Sequence, residues 1–384
     1  MLYHAISYFC TVTEFSKHVD PNAVAGYFYC RINKTQVTQF DQKYACDFSP
    51  QPNPSDVIVV TFINSAWVSL SKNWICSAEK VGLKDKLFLV GFEPNVCSEI
   101  SDVPCYEHPG VSISGTSFGK PGYQKMMIER TRIILKLLSC GRKVALVDAD
   151  ITFLKNPFEY LDEIMEDKDI VFQTDSSGVR VIDSVLSYFF RYICGGFIYM
   201  RSNDPIKHLW LSVLQYQSSF KWNDQAGLNI CIRHHSQQVR WNVLDSTYFP
   251  NGRQYFYYNQ SSQKNLIVHA NHLEGSNKLI RMIAADLWCD HEYGKRICSD
   301  PPNFHEYCIP DDSDIQNEAE KQMIEEAVRN AVKHHNTDKN SIVRKHEDLK
   351  RSKWRPPQDK QLIPEWCAKF VSICRTKFGV DILL

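Results

Sequence analysis

The feature that most constrains this chain is an apolar segment that runs directly into two carboxylates, from Lys143 to Asp150. Gly141 precedes the segment and Asn156-Pro157 follows it, so turn-forming residues bound it on both sides. A short, bounded apolar run of this kind is typical of a buried strand in a parallel sheet. Because ligands of open α/β sheets bind beyond the carboxyl ends of strands, Asp148 and Asp150 stand where a ligand is expected.

The spacing of Asp148 and Asp150 suits a divalent cation. Side chains alternate along an extended backbone, so an Asp-x-Asp pair can direct both carboxylates towards one ion. Hard oxygen ligands favour Mn²⁺ or Mg²⁺, and both ions also take phosphate oxygens of a substrate as ligands. The alternative is structural, since two aspartates at a strand end can be solvated or can cap a turn.

The segments around this motif predict an α/β fold. Strands at 56–62 and 86–90 enclose a helix at 67–81, and such a β-α-β unit implies a parallel sheet. Further strands are predicted at 169–173, 193–200, 240–244 and 265–269, and further helices at 123–140, 203–216 and 222–232.

Three regions are predicted along the chain. Residues 1–55 form an irregular leader that ends in a proline-rich loop, and residues 56–288 form the catalytic domain. Residues 289–384 form a cysteine-bearing helical extension, with helices predicted over 313–335 and from Pro364 onwards.

Charge and hydropathy exclude several classes of partner. The 44 Lys and Arg residues balance the 44 Asp and Glu residues, which argues against bulk attraction to nucleic acid or anionic membrane. The chain holds no apolar run of 18 residues, so no transmembrane segment is predicted within it.

Cysteine usage points to an oxidising compartment. There are 14 cysteines and no C-x-x-C pair, which favours disulfides over a zinc ribbon or a redox motif. Two acceptor sequons, at Asn33 and Asn259, permit glycosylation. We expect a location in the secretory-pathway lumen, with the anchor or signal missing from this chain.

Three further places carry candidate binding residues. Thr61 and Asn64 follow the first strand and are candidates for a nucleotide base or ribose, or else form a polar turn. Arg130 lies near the apolar stripe of its helix and is a candidate diphosphate ligand, or else a structural arginine. Gly195 and Gly196 open a strand and permit close backbone approach, here to a substrate sugar.

Together these motifs resemble the nucleotide-diphospho-sugar transferase domain of glycosyltransferase family 77, over about residues 56–288. The resemblance rests on Asp148-x-Asp150 followed by Asn156-Pro157, on Asn223-Asp224-Gln225, and on Val268-His269-Ala270-Asn271. It implies the GT-A fold, a mostly parallel, Rossmann-like sheet with helices on both faces.

The resemblance also implies metal and diphosphate ligands. Asp148 would reach the ribose or the metal, and Asp150 would bind the metal directly. The third ligand would be His269, which stands at the family's His-x-Asn position, with His272 as the alternative. His272 has the His-x-x-Gly-x-x-Lys spacing of glycogenin-like transferases, in which Gly275 and Lys278 would hold the diphosphate.

Asp224 and Gln225 resemble the pair that faces the donor sugar in related retaining enzymes. The alternative for them is a cap at the start of a helix. An aromatic segment, Tyr248 to Tyr258, is either an acceptor platform or a packed loop.

The predicted function is a metal-dependent, retaining glycosyltransferase of the Golgi or secretory lumen. It would move a sugar from a nucleotide-diphosphate donor, expected to carry UDP, to a glycan or glycoprotein acceptor, with Mn²⁺ or Mg²⁺ as cofactor. One alternative is a degenerate homologue that binds glycans or serves as a scaffold. The other is a phosphatase with an Asp-x-Asp-x-Thr motif, in which Asp148 would be the nucleophile.

Overall fold

A computed structural model describes residues 44–100, 103–109, 122–175, 192–220, 223–235, 237–258, 261–300 and 365–380. The chain divides into two compact units, Met1–Leu273 and Glu274–Leu384. The predicted helix over 313–335 and the two sequons, at Asn33 and Asn259, lie outside the described residues.

The first unit is built on a mixed sheet. Its strands are β1 (Val57–Ile63), β2 (Leu87–Gly91), β3 (Cys105–Glu107), β4 (Lys143–Val147), β5 (Ile151–Phe153), β6 (Ile170–Thr174), β7 (Ile193–Met200), β8 (Trp241–Val243) and β9 (Ile267–His269). Seven strands follow the order β3-β2-β1-β4-β7-β6-β8, and β5 pairs with β9. Strand β7 runs antiparallel to both neighbours, while the other pairs of the seven-stranded sheet are parallel. The predicted α/β class with a mostly parallel sheet is confirmed.

Helices cover both faces of this sheet, as predicted. They are α1 (Val68–Lys80), α2 (Tyr123–Leu138), α3 (Phe158–Ile164), α4 (Asp204–Phe220) and α5 (Asp224–His234). Because side chains alternate along β1, Ile58 and Val60 join one core while Val57 and Val59 join the other. The first core is shared with α2, α4 and α5, and the second with α1 and α3.

The two aspartates lie in a turn rather than on an extended strand, which differs from the prediction. Strand β4 ends at Val147, and the amide of Ile151 donates to the Asp148 carbonyl at 3.1 Å. The chain then enters β5, which pairs antiparallel with β9 so that Ile151 lies opposite His269. This pairing carries His269 to the aspartates across more than a hundred residues of sequence.

The second unit is helical over its described residues. It contains α6 (Gly275–Ala284), α7 (His291–Ser299) and α8 (Glu365–Phe378), and α8 is the helix predicted to begin near Pro364. A disulfide between Cys298 and Cys374 joins α7 to α8. The Lys377 ammonium donates to the Trp288 carbonyl at 2.9 Å and so ties α8 to the segment before α7.

Disulfides, which the cysteine pattern predicts, are present in both units. Cys46 pairs with Cys140 and Cys97 with Cys105 in the first unit. Cys194 is buried and is the free cysteine among the described residues. No helix in the described ranges has both the length and the apolar character needed to cross a membrane.

Candidate metal and nucleotide-sugar site

Asp148, Asp150 and His269 converge at the carboxyl end of β4. Their ligand atoms all lie within 4.8 Å of one another. His269 Nε2 lies 3.2 Å from Asp150 Oδ1 and 3.9 Å from Asp148 Oδ2. Two carboxylates and one imidazole form a donor set that divalent Mn²⁺ accepts.

The hydrogen bonds of His269 identify Nε2 as the nitrogen that faces the carboxylates. The Gln173 amide NH₂ donates to the carbonyls of Phe249 and Pro250 at 3.2 and 2.9 Å, so its Oε1 is the acceptor. That oxygen lies 2.7 Å from His269 Nδ1, which assigns the proton to Nδ1. Nε2 is therefore the nitrogen that faces Asp150 and the one that would bind a metal, the orientation that an outer-shell partner imposes on a metal ligand.

The electrostatics of this group favour a positive charge between its members. Burial raises the pKa of Asp148 and outweighs the lowering by Arg130. Burial lowers the pKa of His269, but Asp150 and Cys194 together outweigh burial and hold this pKa well above its ordinary value. A divalent cation supplies the charge that these groups favour, so the residues fit a metal.

Gly196 provides the space in which the group assembles. A Cβ at this position would lie 2.3 Å from His269 Cε1 and 2.6 Å from Asp148 Oδ2. The Gly196 carbonyl also accepts from the Asp148 amide at 2.7 Å, which holds β7 against the turn. The glycine doublet was predicted to admit a substrate sugar; Gly196 makes room for the protein's own side chains.

Arg130 links the metal group to the start of α5. One terminal nitrogen donates to Asp148 Oδ1 at 2.9 Å and the other donates to Asp224 Oδ2 at 2.9 Å. The Gly195 carbonyl accepts from the same guanidinium at 3.1 Å. Arg130 is buried and Asp224 is almost fully so, which makes this an internal charge network rather than a surface pair.

Asp224 and Gln225 open helix α5, but neither is its cap. The cap is Asn223, whose side chain accepts from the Ala226 amide at 2.8 Å. Gln225 is held at both ends of its amide: Oε1 accepts from the Gly195 amide at 2.8 Å, and Nε2 donates to Asp175 Oδ2 at 3.0 Å. Gln225 thus lies beside the glycine doublet, and Asp224 is connected to Gly195 through Arg130.

The two candidate histidines lie in different surroundings. His269 joins the aspartate pair, whereas His272 Nε2 lies 3.1 Å from Asp175 Oδ1. Gly275 and Lys278 lie on α6 in the second unit, at its first turn. Their predicted contact with a diphosphate stays a prediction.

The candidate nucleoside residues both lie at the end of β1. Thr61 is fully buried, and its hydroxyl has no hydrogen-bond partner among the described residues. Asn64 is also buried and caps a short 3₁₀ turn by accepting from the Ala66 amide at 3.1 Å. Their contact with a base or ribose stays a prediction.

Three residues of the site were missed by the sequence analysis: Gln173, Asp175 and Tyr123. Gln173 and Asp175 carry a weak signal, since they are polar residues at the end of a predicted strand. No local pattern places that strand beside His269. Tyr123 begins α2, and burial raises the pKa of its phenol while the nearby Asp224 adds to the rise.

The aromatic segment from Tyr248 to Tyr258 begins with residues that pack inside the first unit. Phe249 is fully buried, with its ring centroid 5.3 Å from that of Phe197. Tyr248 lies 4.7 Å from Tyr160 by the same measure. The packed-loop alternative describes this end of the segment.

Comparison with known proteins identifies a protein family whose model matches part of the chain. The model of the nucleotide-diphospho-sugar transferase family matches residues 93–282. Among curated proteins, the chain is 26% identical over 259 residues to UDP-D-xylose:L-fucose alpha-1,3-D-xylosyltransferase 1 of Arabidopsis thaliana, covering 60% of this chain and 70% of that protein. It is 25% identical over 199 residues to UDP-galactose:fucoside alpha-3-galactosyltransferase of Dictyostelium discoideum, covering 46% of this chain and only 30% of that protein.

Solved structures are more distant. The galactosyltransferase LgtC, in complex with donor and acceptor sugar analogs, is 12% identical with a TM-score of 0.37, covering 56% of this chain and 86% of that chain. Mouse xyloside xylosyltransferase 1 is 14% identical with a TM-score of 0.35, covering 56% of this chain and 98% of that chain. The family match and the mixed sheet agree with the GT-A fold predicted from the sequence.

Proposed function

This chain belongs, through residues 93–282, to the nucleotide-diphospho-sugar transferase family, and from that premise we propose a metal-dependent, retaining glycosyltransferase that uses a UDP-sugar donor. The observation that carries the proposal is the group of Asp148, Asp150 and His269, whose ligand atoms lie within 4.8 Å of one another. A transferase of this kind would need a cation where the diphosphate departs, and the two carboxylates and the imidazole of this group would hold it.

Asp148, Asp150 and His269 would hold Mn²⁺, with Mg²⁺ as the alternative ion. When bound, the ion neutralises charge on the departing diphosphate. His269 is preferred to His272 because Gln173 fixes its tautomer and its Nε2 faces Asp150.

Arg130 would balance the charges around the donor. Its guanidinium pairs with both Asp148 and Asp224 at 2.9 Å. A bidentate guanidinium suits phosphate as well as carboxylate, so Arg130 is also suited to a diphosphate oxygen. Thr61 and Asn64, at the end of β1, would contact the nucleoside.

Asp224, Gln225 and the glycine doublet would hold the donor sugar. Because Gln225 is fixed by Gly195 and Asp175, it is preorganised to stabilise positive charge at the anomeric carbon. In the retaining reaction the anomeric carbon loses its bond to the diphosphate and gains one to the acceptor oxygen on the same face. The acceptor proton passes to the departing diphosphate oxygen.

The names of the relatives narrow the substrate classes. Both the plant xylosyltransferase and the slime-mould galactosyltransferase are named for a UDP-sugar donor and a fucose-containing acceptor. We therefore propose transfer of a pentose or hexose from UDP to a fucose-bearing glycan or glycoprotein. The disulfides support a luminal location in the secretory pathway, with the Golgi as the expected compartment.

We also propose that residues 56–288 form the catalytic domain, with 1–55 as a leader and 289–384 as a helical extension. The site residues from Thr61 to Lys278 all fall inside this domain.

The proposal is tested by incubating the protein with UDP-xylose, UDP-galactose and UDP-arabinose, with and without a methyl fucoside acceptor. Released UDP and transferred sugar are measured in Mn²⁺ and in chelator. We expect turnover of at least one donor in Mn²⁺, its loss in chelator and in Asp148→Asn, and its retention in the exposed control Asp85→Asn. UDP binding without any turnover by a folded protein would point to a degenerate, glycan-binding homologue.

A further inference from the structure

A second polar cluster, centred on Asp175, lies next to Gln225. The Asp175 carboxylate accepts from Gln225 Nε2 at 3.0 Å and from Asn271 Nδ2 at 3.0 Å, and it lies 3.1 Å from His272 Nε2. A carboxylate offers about four acceptor positions, so this one can accept a further hydrogen bond from a ligand. We call Asp175, Asn271 and His272 the Asp175 cluster.

The Asp175 cluster is joined to the metal group. Asn271 Nδ2 lies 3.8 Å from Cys194 Sγ, and that sulfur lies 3.8 Å from His269 Nδ1. Asn271 Oδ1 also accepts from the Gly252 amide at 2.6 Å, which fixes the orientation of its side chain. A molecule held on the cluster would therefore lie next to the reacting centre.

An exposed aromatic ring borders the Asp175 cluster. Tyr192 is 43% exposed, and its carbonyl accepts from the Asp175 amide at 2.9 Å. Burial of the phenol raises the pKa of Tyr192, opposed by a hydrogen bond with the Gln225 side chain. An apolar face beside a carboxylate and an imidazole matches a pyranose, which presents an apolar face ringed by hydroxyls.

His272 is held in an unusual backbone conformation at this place. Its φ is 62°, in the left-handed region that residues other than glycine seldom adopt. Such conformations concentrate at functional sites, where the surrounding structure maintains them. Here the conformation delivers the imidazole to Asp175.

We propose that Tyr192, Asp175 and His272 form the binding site for the acceptor sugar, a pyranose. Its apolar face stacks on the Tyr192 ring, and its hydroxyls donate to the Asp175 carboxylate and to Nδ1 of His272, whose Nε2–H donates to Asp175. Gln225 bonds both to Asp175 and to the Gly195 amide, so this pyranose would lie beside the donor sugar. The inference rests on the proposed function and identifies the acceptor side of that site.

The competing explanation is that the cluster only holds Gln225 in place. That explanation requires Asp175 and the Tyr192 hydroxyl, which hydrogen-bonds to Gln225, but it gives no role to the face of the Tyr192 ring. Comparing Tyr192→Ala with Tyr192→Phe therefore separates the two explanations. Tyr192→Ala removes the ring from a partly exposed position, and Tyr192→Phe keeps the ring without its hydroxyl. Leu154, 38% exposed, supplies the matched control as Leu154→Ala.

The experiment measures sugar binding directly, without turnover. Saturation-transfer NMR is recorded with the methyl glycosides of fucose, galactose and xylose, in the presence of UDP and Mn²⁺. We expect at least one glycoside to bind the wild type and Leu154→Ala equally. Tyr192→Ala should weaken that binding about three- to tenfold, the size of one aromatic contact, and Tyr192→Phe should retain most of it. His272→Asn, which tolerates the left-handed conformation, should also weaken it.

Two results would overturn the acceptor site: no glycoside of the panel binds the wild type, or Tyr192→Ala binds as tightly as Leu154→Ala. UDP affinity is measured on the same samples by calorimetry and should not change in Tyr192→Ala. If UDP fails to bind the wild type while glycoside binding is lost in Tyr192→Ala, the sugar site stands and the UDP-transferase proposal falls.

Discussion

Gly196 is the single residue on which the metal group most depends. In Gly196→Ala the new Cβ would meet His269 and Asp148 at 2.3 and 2.6 Å, so at least one ligand must move. We expect Mn²⁺ affinity to fall by about tenfold or more, and the protein to lose about 1–3 kcal/mol of stability. Calorimetric Mn²⁺ titration and thermal unfolding measure the two effects.

The neighbouring glycine provides the comparison for this prediction. A Cβ at Gly195 would lie 3.1 Å from Gln225 Cβ and would not approach the metal ligands as closely. Gly195→Ala should therefore retain more of the Mn²⁺ affinity than Gly196→Ala. Equal Mn²⁺ binding by Gly196→Ala and the wild type would contradict the account of this site.

We expect protonation of Asp169 to lower the stability of the protein at acid pH. Burial raises the pKa of Asp169, but hydrogen bonds from Arg240 and Asn203 outweigh it and hold this pKa below its ordinary value. A lowered native pKa means that the stabilisation is complete above the unfolded pKa of about 4 and is lost as pH falls further.

Asp169→Asn should therefore cost about 1–2 kcal/mol at pH 7, a small cost because the exposed partner Arg240 is partly screened. Below pH 4 the cost should become progressively smaller, because Asp169 itself is then protonated in the wild type. Urea unfolding of the wild type and the variant between pH 7 and pH 3 measures the difference. A difference that does not change with pH would show that the carboxylate charge is not what stabilises this contact.

Among the secondary-structure elements, helix α5 positions two donor-facing residues through one capping side chain. Loss of the Asn223 cap in Asn223→Ala should cost about 1 kcal/mol and loosen the first turn, which carries Asp224 and Gln225. We expect a small drop in melting temperature and a larger drop in UDP-sugar hydrolysis.

The matched control for this cap is Asp290, which caps α7 by accepting from the Tyr293 amide at 3.2 Å. Asp290→Ala should lower stability by a similar amount and leave hydrolysis unchanged. If both variants lose hydrolysis equally, the effect of Asn223 belongs to general stability and not to the position of α5.

Local patterns predict the elements well and their assembly poorly. The buried run of β1 and the apolar stripe of α2 are visible in the sequence because burial imposes a period on each. The pairing of β5 with β9 is not visible, because nothing near Ile151 indicates that His269 will lie opposite it. The reversed direction of β7 within the sheet depends likewise on contacts distant in sequence.

The same limit applies to the site. Asp148, Asp150 and the histidine pair are recognisable because metal chemistry demands those residue types. Gln173 and Asp175 act through the histidines, and their roles require the sheet order to be known first. The tight turn at the aspartates also escaped prediction, since a continuous apolar run gives no sign of where extension ends.

At the scale of the whole molecule, the first unit is stabilised by a disulfide of long span. Cys46 and Cys140 are 94 residues apart, so their bond restricts a large loop of the unfolded chain. Replacing both by serine should cost about 2–5 kcal/mol in guanidinium unfolding. Replacing Cys97 and Cys105, which are 8 residues apart, should cost less. A larger loss for the short pair would contradict the loop-entropy explanation.

The central claim is that Asp148, Asp150 and His269 form the cation site of a UDP-sugar transferase. Calorimetric titration of UDP into the wild type, Asp150→Asn and the exposed control Asp85→Asn, each with Mn²⁺ and with chelator, tests it most directly. We predict that UDP binds the wild type and Asp85→Asn only with Mn²⁺ and does not bind Asp150→Asn. UDP binding that is unchanged by chelator and by Asp150→Asn, or no UDP binding by a folded wild type, would contradict the claim.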